Sequence, residues 1–313
     1  MWESGSSIAF LILPPFLRKH KWEIDRKKEI ILKGDKSQSV DYLEVYGTGG
    51  KLHNISENPS EDMIDLANSG TTLRIMTSVA ALSDNEVIFT GDDSLKSRPM
   101  GALIDALEDL GVRIESLNDN NKAPLKIYPG YDGGEADILG SISSQFISSI
   151  LISAPLSKEG VELEVYPEFV SKPYVDMTLQ AMKIFEVDCK NFQICGSQTF
   201  HSPGTVIVEG DWSNAAFFLA AGALGAQIQM LGLDLKSAQG DKAVLHLLSD
   251  LEQQTTISAK DIPDLIPILS VIAAAKRGAV FTDIARLRLK ESDRIASTIA
   301  MLRALGGKAE ATD

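Results

Sequence analysis

Residues 286–305 read Arg286-Leu-Arg-Leu-Lys-Glu-Ser-Asp-Arg294-Ile-Ala-Ser-Thr-Ile-Ala-Met-Leu-Arg-Ala-Leu305. Arg286, Arg288, Lys290 and Arg294 crowd the front of this stretch, and Ile295, Ile299 and Leu302 then recur at helical spacing. The cations therefore precede or open a helix. A helix N-terminus carries partial positive charge, so each cation there costs roughly 0.3–1 kcal/mol unless an anion arrives. Arg and Lys beside the free N–H groups of a first turn make a site for phosphate or carboxylate, with Glu291 and Asp293 able to orient the basic side chains or move protons. A solvated charge cluster is the competing reading, and this stretch alone does not choose between the two.

The 313 residues are 44% hydrophobic and 23% charged, ordinary for a folded protein. Their number suggests about two domains. A net charge of -13 argues against nonspecific binding to nucleic acid or an anionic membrane, so phosphates would bind in a local pocket. Cys189 and Cys195 fit neither a zinc knuckle nor a redox pair, and His20, His53, His201 and His246 stand in no metal-ligand spacing. No metal and no cofactor is expected. Ile8-Ala-Phe-Leu-Ile-Leu13 lacks the basic flank and cleavage site of a secretory signal, and no apolar run approaches the roughly 20 residues of a membrane span. A cytoplasmic protein is the expectation.

Outward from residue 286 the chain repeats itself, at intervals of roughly 50 to 75 residues. Small polar segments open apolar helices at Asn68-Ser-Gly-Thr-Thr-Leu-Arg-Ile-Met76, Gly140-Ser-Ile-Ser-Ser-Gln-Phe146, Gly210-Asp-Trp-Ser-Asn-Ala-Ala216 and Asp261-Ile-Pro-Asp-Leu265. Strands are expected after them at 86–90, 161–165, 226–231 and 279–283, each followed by a second helix. Glycines in Asp109-Leu-Gly-Val112 and Ala304-Leu-Gly-Gly307 suit the left-handed turn that ends a helix.

The second helices are expected to start at Lys96-Ser-Arg-Pro99, Ser171-Lys-Pro-Tyr174 and Glu291-Ser-Asp-Arg294. Serine caps and first-turn prolines explain part of this pattern. Capping does not explain the basic residues, and Arg98 and Arg294 are the preferred anion ligands. Gly70-Thr71-Thr72 and Ser143-Ser144-Gln145 offer backbone N–H groups and small hydroxyls to a ligand, although capping alone accounts for a lone Ser-Ser-Gln. Asp264 stands at the mouth of an apolar helix. It is either a cap or a general base kept ionised by the helix terminus.

In order, Asn68-Ser-Gly-Thr-Thr-Leu-Arg74, Lys96-Ser-Arg-Pro99, Gly140-Ser-Ile-Ser-Ser-Gln-Phe146, Ser171-Lys-Pro-Tyr174, Val208-Glu-Gly-Asp211, Ile262-Pro-Asp264 and Leu289-Lys-Glu-Ser-Asp-Arg294 resemble the 5-enolpyruvylshikimate-3-phosphate (EPSP) synthase family, the 3-phosphoshikimate 1-carboxyvinyltransferases. Any one is weak; the series, from about Gly47 to Ala311, is specific. The resemblance implies an α/β, two-domain fold assembled from βαβαββ units, about four of six being visible, with a first domain over 1–209 and part of a second over 210–313. It implies transfer of the enolpyruvyl group of phosphoenolpyruvate to the 5-hydroxyl of shikimate 3-phosphate, without metal or cofactor, by a monomer whose partners are these two small molecules.

By the same resemblance, Ser143, Ser144, Gln145, Ser171, Asp264 and Lys290 bind shikimate 3-phosphate, with Tyr174 beside them, and Gly70, Arg98, Gln145 and Arg294 bind phosphoenolpyruvate. Asp264 takes the hydroxyl proton and Glu291 assists proton transfer at the enolpyruvyl carbon. Gly70 leaves room for the phosphonate of glyphosate. Arg286 stands where many relatives have asparagine.

Some of the family pattern is not matched. Lys36-Ser-Gln-Ser39 imitates the family's opening Ser-Lys-Ser but lacks the following arginine and lies too near Asn68, residues 1–35 show no resemblance, and the family's last unit has no counterpart. The expectation is an incomplete chain with exposed apolar strand edges, inactive alone. Two other readings are a UDP-N-acetylglucosamine enolpyruvyltransferase, which normally uses a cysteine in a Gly-rich loop, and a non-catalytic anion-binding protein of the same fold.

Overall fold

The computed structural model describes residues 23–33, 36–46, 63–290 and 292–312. At its start, β1 (Glu23–Lys33) and β2 (Lys36–Tyr46) pair antiparallel, Glu23 opposite Tyr46. A strand–helix–strand unit follows. β3 (Met63–Asp65) runs parallel to β4 (Val87–Thr90), with α1 (Gly70–Ala80) crossing between them. Ser69 caps α1 by accepting from the Thr72 N–H, and Leu73, Met76 and Ala80, at helical spacing, are buried. The short α2 (Asp93–Ser97) and then α3 (Gly101–Asp109) come next. Gly111 leaves α3 at φ +83°, the left-handed turn that glycine makes without steric cost. β5 (Ile114–Ser116) and β6 (Leu125–Ile127) complete a sheet of order β3–β4–β6–β5, with β6 antiparallel to both neighbours.

The next unit follows the same plan. β7 (Gly133–Leu139) and β8 (Gly160–Tyr166) are parallel, α4 (Ser144–Ser153) crosses between them, and α5 (Lys172–Ile184) leads to β9 (Gln193–Cys195), antiparallel to β8. Along β8, Val161 and Leu163 are buried while Glu162 and Glu164 are exposed, the alternation of a half-buried strand. α4 is apolar almost all round, and burial of Phe146, Ile147, Ile150 and Leu151 stabilises it by roughly 2 kcal/mol each. It lies against both α1 and α5. Small hydroxyls let the helices approach: Ser149 Oγ is 2.7 Å from Ser78 Oγ of α1, and Ser148 Oγ is 2.8 Å from Thr178 Oγ1 of α5.

Further along come α6 (Trp212–Ala223), α7 (Val244–Asp250), the parallel pair β10 (Thr255–Ser258) and β11 (Ala279–Thr282) with α8 (Ile266–Ala275) between them, and α9 (Arg294–Ala304). Buried apolar side chains form one cluster from Ile64 to Ile194 and another around Trp212, Leu251, Leu265, Leu269 and Ile272. A smaller group joins Ala259, Ile266, Leu287 and Ile295. In every parallel pair the crossover helix begins beyond the carboxyl end of the first strand, the place where open α/β sheets bind ligands.

Two expectations fail. Residues 226–231 form no strand; the Gly210 N–H donates to the Gly232 carbonyl at 2.8 Å, and Ile228 and Leu231 remain 43% and 80% exposed. A strand needs a continuous ladder, and among the described residues none forms there. Second, the helix expected at Lys96-Ser-Arg-Pro99 starts at Gly101. Asp92 caps α2 through the Leu95 N–H, so Ser97 closes a helix instead of opening one. Arg98 then sits at φ −76°, ψ 135°, the extended conformation that a following proline favours.

Candidate active site

Arg98 is buried, 5% exposed, and its Nη2 donates to Asn68 Oδ1 at 2.5 Å. Asn68 Nδ2 in turn donates to Asp92 Oδ2 at 2.7 Å. The Leu95 backbone N–H and Asn68 hold the Asp92 carboxyl below its ordinary range. The guanidinium reaches back over the first residue of α1: a Cβ at Gly70 would overlap Arg98 Nη1. The structure thus brings Gly70 and Arg98 together, although Arg98 starts no helix.

Gln145 is fixed at both ends of its amide. Nε2 donates to Thr71 Oγ1 at 2.8 Å and Oε1 accepts from Arg74 Nη1 at 2.8 Å. It therefore bridges the first turns of α1 and α4, whose free N–H groups favour an anion. Ser143 caps α4 by accepting from the Gln145 N–H at 3.3 Å, and Ser144 is buried behind it. The capping reading holds for Ser143. Thr71 and Arg74 lie inside the recognised motif, but their hold on Gln145 joins positions more than 70 residues apart and has no local signal.

Ser171 precedes α5 at φ 56°, unusual for a residue with a Cβ, and its side chain caps nothing. Its N–H donates to the Lys260 carbonyl at 3.0 Å, and Arg286 Nη1 and Nη2 both donate to its Oγ at 3.3 Å. Arg286 Nη2 also donates to the Lys260 carbonyl at 2.9 Å. Burial lowers the Arg286 pKa from its ordinary value. The expected serine cap is replaced by a junction between the start of α5 and the segment ahead of α8.

Asp264 is the centre of this second group. Tyr174 donates its hydroxyl proton to Oδ2 at 2.6 Å, and Arg294 Nη1 donates to Oδ1 at 2.5 Å. Its side chain is 23% exposed and that of Arg294 26%, so the pair is only partly screened by water. Burial pushes the Asp264 carboxyl up, but Lys290, Arg294 and the Tyr174 hydroxyl outweigh it and hold the group below its ordinary range. Asp264 is thus an ionised acceptor and not a helix cap. The cap of α9 is Asp293, whose Oδ1 accepts from the Ile295 and Ala296 N–H groups at 3.0 and 2.9 Å while Oδ2 accepts from Arg288 at 3.1 Å. That carboxylate offsets the cations at this helix start. Glu291 lies outside the described residues.

The two groups are linked through the helices, because Ser148 of α4 meets Thr178 of α5, whose hydroxyl donates to the Tyr174 carbonyl at 3.1 Å. Asp241, which sequence reasoning passed over, joins the second group: its Oδ2 lies 3.3 Å from the Tyr174 hydroxyl. The local clue is Gly240, where a Cβ would stand 2.9 Å from both the Asp261 carbonyl and Pro173, so only glycine lets these segments meet. Among the described residues, no group of three His, Cys, Asp or Glu side chains could hold a metal ion, and no helix is long and apolar enough to cross a membrane.

A family model described as EPSP synthase (3-phosphoshikimate 1-carboxyvinyltransferase) matches residues 31–261 and 251–313. The match starts before the Gly47 expected from the motifs and takes in part of the segment expected to be unrelated. A 3-phosphoshikimate 1-carboxyvinyltransferase of Methanobrevibacter smithii is 46% identical over 306 residues, covering 86% of this chain and 69% of the relative. One from Natronomonas pharaonis is 37% identical over 310 residues, covering 87% and 70%. The solved EPSP synthase from Acinetobacter baumannii shares the fold with a TM-score of 0.66 at 22% identity, over 96% of this chain and 71% of that one.

Proposed function

The chain belongs to the EPSP synthase (3-phosphoshikimate 1-carboxyvinyltransferase) family, and on that premise we propose that, against the expectation of a chain inactive alone, it transfers the enolpyruvyl group of phosphoenolpyruvate to the 5-hydroxyl of shikimate 3-phosphate and releases phosphate. The observation that carries the assignment of roles is Asp264, an ionised carboxylate fixed by Tyr174 and Arg294 at the meeting of α5, α8 and α9. Such a group carries no proton of its own and is held in place, so it can accept the hydroxyl proton as the new bond forms, although its lowered pKa makes it a weaker base than a free carboxylate.

In this reading Ser143, Ser144, Gln145, Ser171, Asp264 and Lys290 hold shikimate 3-phosphate, while Gly70, Arg98, Gln145 and Arg294 hold phosphoenolpyruvate. The 5-hydroxyl oxygen bonds to carbon 2 of phosphoenolpyruvate, its proton passes to Asp264, and carbon 3 gains a proton with the help of Glu291. The tetrahedral adduct then loses a proton from carbon 3 and expels phosphate, restoring the double bond. Arg98, Arg294, Lys290 and the helix N-termini stabilise negative charge on the phosphates and carboxylate.

The apolar clusters on either side of residue 209 support a division into domains over 1–209 and 210–313. We read the chain as a monomer whose partners are these two small molecules. The two cysteines form no disulfide, consistent with work in a reducing cytoplasm. Burial pushes the Cys189 thiol up, the opposite of what a nucleophilic cysteine needs, so the UDP-sugar reading gains no support.

Titration calorimetry with shikimate 3-phosphate, followed by phosphoenolpyruvate and a phosphate-release assay, tests the assignment. Binding of shikimate 3-phosphate that Asp264→Ala abolishes is the expected result. Binding of UDP-N-acetylglucosamine in its place, or of neither ligand, refutes it.

A further inference from the structure

Asp241 lies in the single turn Gly240–Ala243 and is 5% exposed. Four groups face it: Tyr174 from α5, Asp264 ahead of α8, Asp211 at the head of α6 and Lys290 ahead of α9. Two are acids and one is a cation. Oδ1 of Asp241 is buried with no hydrogen-bond partner among the described residues, so the carboxyl lacks the bonds that normally accompany a buried charge.

The phenol beside it has a single proton. That proton points to Asp264 Oδ2, at 2.6 Å, while Asp241 Oδ2 stands 3.3 Å from the same hydroxyl oxygen. If both carboxyls were ionised, one of these contacts would set two oxygens against each other with no hydrogen between them. A proton on Asp241 removes the conflict by letting Asp241 donate to the Tyr174 oxygen. Burial, and then the charges of Asp264 and Asp211, favour this protonated form and raise Asp241 to about 7, against the opposing pulls of the Tyr174 hydroxyl and, more weakly, Lys290.

We propose that Asp241 is a positioning residue, a neutral carboxylic acid that donates to Tyr174 and so aims the Tyr174 proton at Asp264. When Asp241 ionises, two carboxylates compete for one phenol proton, and Asp264 loses part of the contact that orients Oδ2. Affinity for shikimate 3-phosphate then responds to pH near neutrality through a group that does not touch the ligand. This deepens the assignment of Asp264 as ligand and base and rests on it.

Infrared difference spectra of the unliganded chain, wild type against Asp241→Asn, test the charge state at about pH 6 and about pH 8. A protonated-carboxyl band belonging to Asp241 is expected at the lower pH and is lost at the higher. Tyr174→Phe shifts that band, which gives a second readout should Asp241→Asn fold poorly. Calorimetry with shikimate 3-phosphate then reads the consequence. Wild-type affinity falls roughly threefold or more between the two pH values, beyond any fall seen in Asp241→Asn, whose amide stays a donor. Comparing the two proteins cancels the titration of the ligand's own phosphate. A missing band at the lower pH, or an equal pH step in both proteins, overturns the proposal. Absence of shikimate 3-phosphate binding at either pH sinks the functional assignment instead, while the infrared result still decides whether Asp241 is the neutral donor.

Discussion

Gly70 and Arg98 share a space that one methyl group would close, since a Cβ on residue 70 would overlap Nη1 of the Arg98 guanidinium. Arg98 is buried and tied to Asn68, so it has little room to retreat. The first residue of α1 and the cation that faces it are therefore a single steric unit.

Gly70→Ala is expected to push Arg98 off Asn68 at a cost of about 1–3 kcal/mol in stability, the usual penalty of overpacking. Phosphoenolpyruvate affinity, measured by calorimetry on the shikimate 3-phosphate complex, falls about tenfold or more. A variant that binds phosphoenolpyruvate as wild type does would separate Gly70 from that ligand.

Ser171→Gly separates stability from binding. Glycine removes the strain of φ 56° but also the hydroxyl that accepts from Arg286. The melting temperature is expected to hold or rise slightly, because relief of about 1 kcal/mol offsets a weak hydrogen bond. Shikimate 3-phosphate affinity falls in the same protein.

Asp264→Asn keeps the shape of the side chain and removes its charge. Arg294 loses the ionised partner at 2.5 Å, and phosphate release is expected to drop by about 10²–10⁴. A pH-independent loss of this size, with the circular dichroism spectrum retained, points to lost base chemistry and not to unfolding.

Stability should depend on pH in two directions. The Asp241 carboxyl, raised from 3.8 to about 7, contributes stability that is complete below its ordinary range and is lost as pH rises through about 7. Asp264 is lowered from 3.8, so its contribution is present above the ordinary range and disappears as pH falls through the lowered value. Thermal melts should therefore show wild type losing stability between about pH 5 and about pH 8, with a flatter profile in Asp241→Asn. Parallel profiles for the two proteins would contradict this.

The sequence pattern made the starts of α1, α4 and α9 legible because small hydroxyls, glycine and acids at helix heads act locally. It misplaced the helix near Arg98 because Asp92 captures the Leu95 N–H first and creates a turn that apolar periodicity does not report. It called for a strand at 226–231 because those residues favour an extended form, yet a strand also requires a partner. Asp241, Tyr174 and Asp264 were the least visible as a set. They meet across 67 and 90 positions, and nothing within a local window marks a proton shared at that distance.

The Lys260 carbonyl, reached by both the Ser171 N–H and Arg286, is where two distant parts of the chain close on each other. Joining segments about ninety residues apart in sequence costs loop entropy that helices and hairpins avoid. The second half of the site therefore exists only while that closure holds. A ligand that needs both segments acts as a clasp: at a hundred times its dissociation constant it adds about 2.7 kcal/mol against opening. On the proposed assignment, shikimate 3-phosphate reaching Ser171 on one side and Asp264 on the other would slow amide exchange at the Ser171 N–H, which donates to the Lys260 carbonyl.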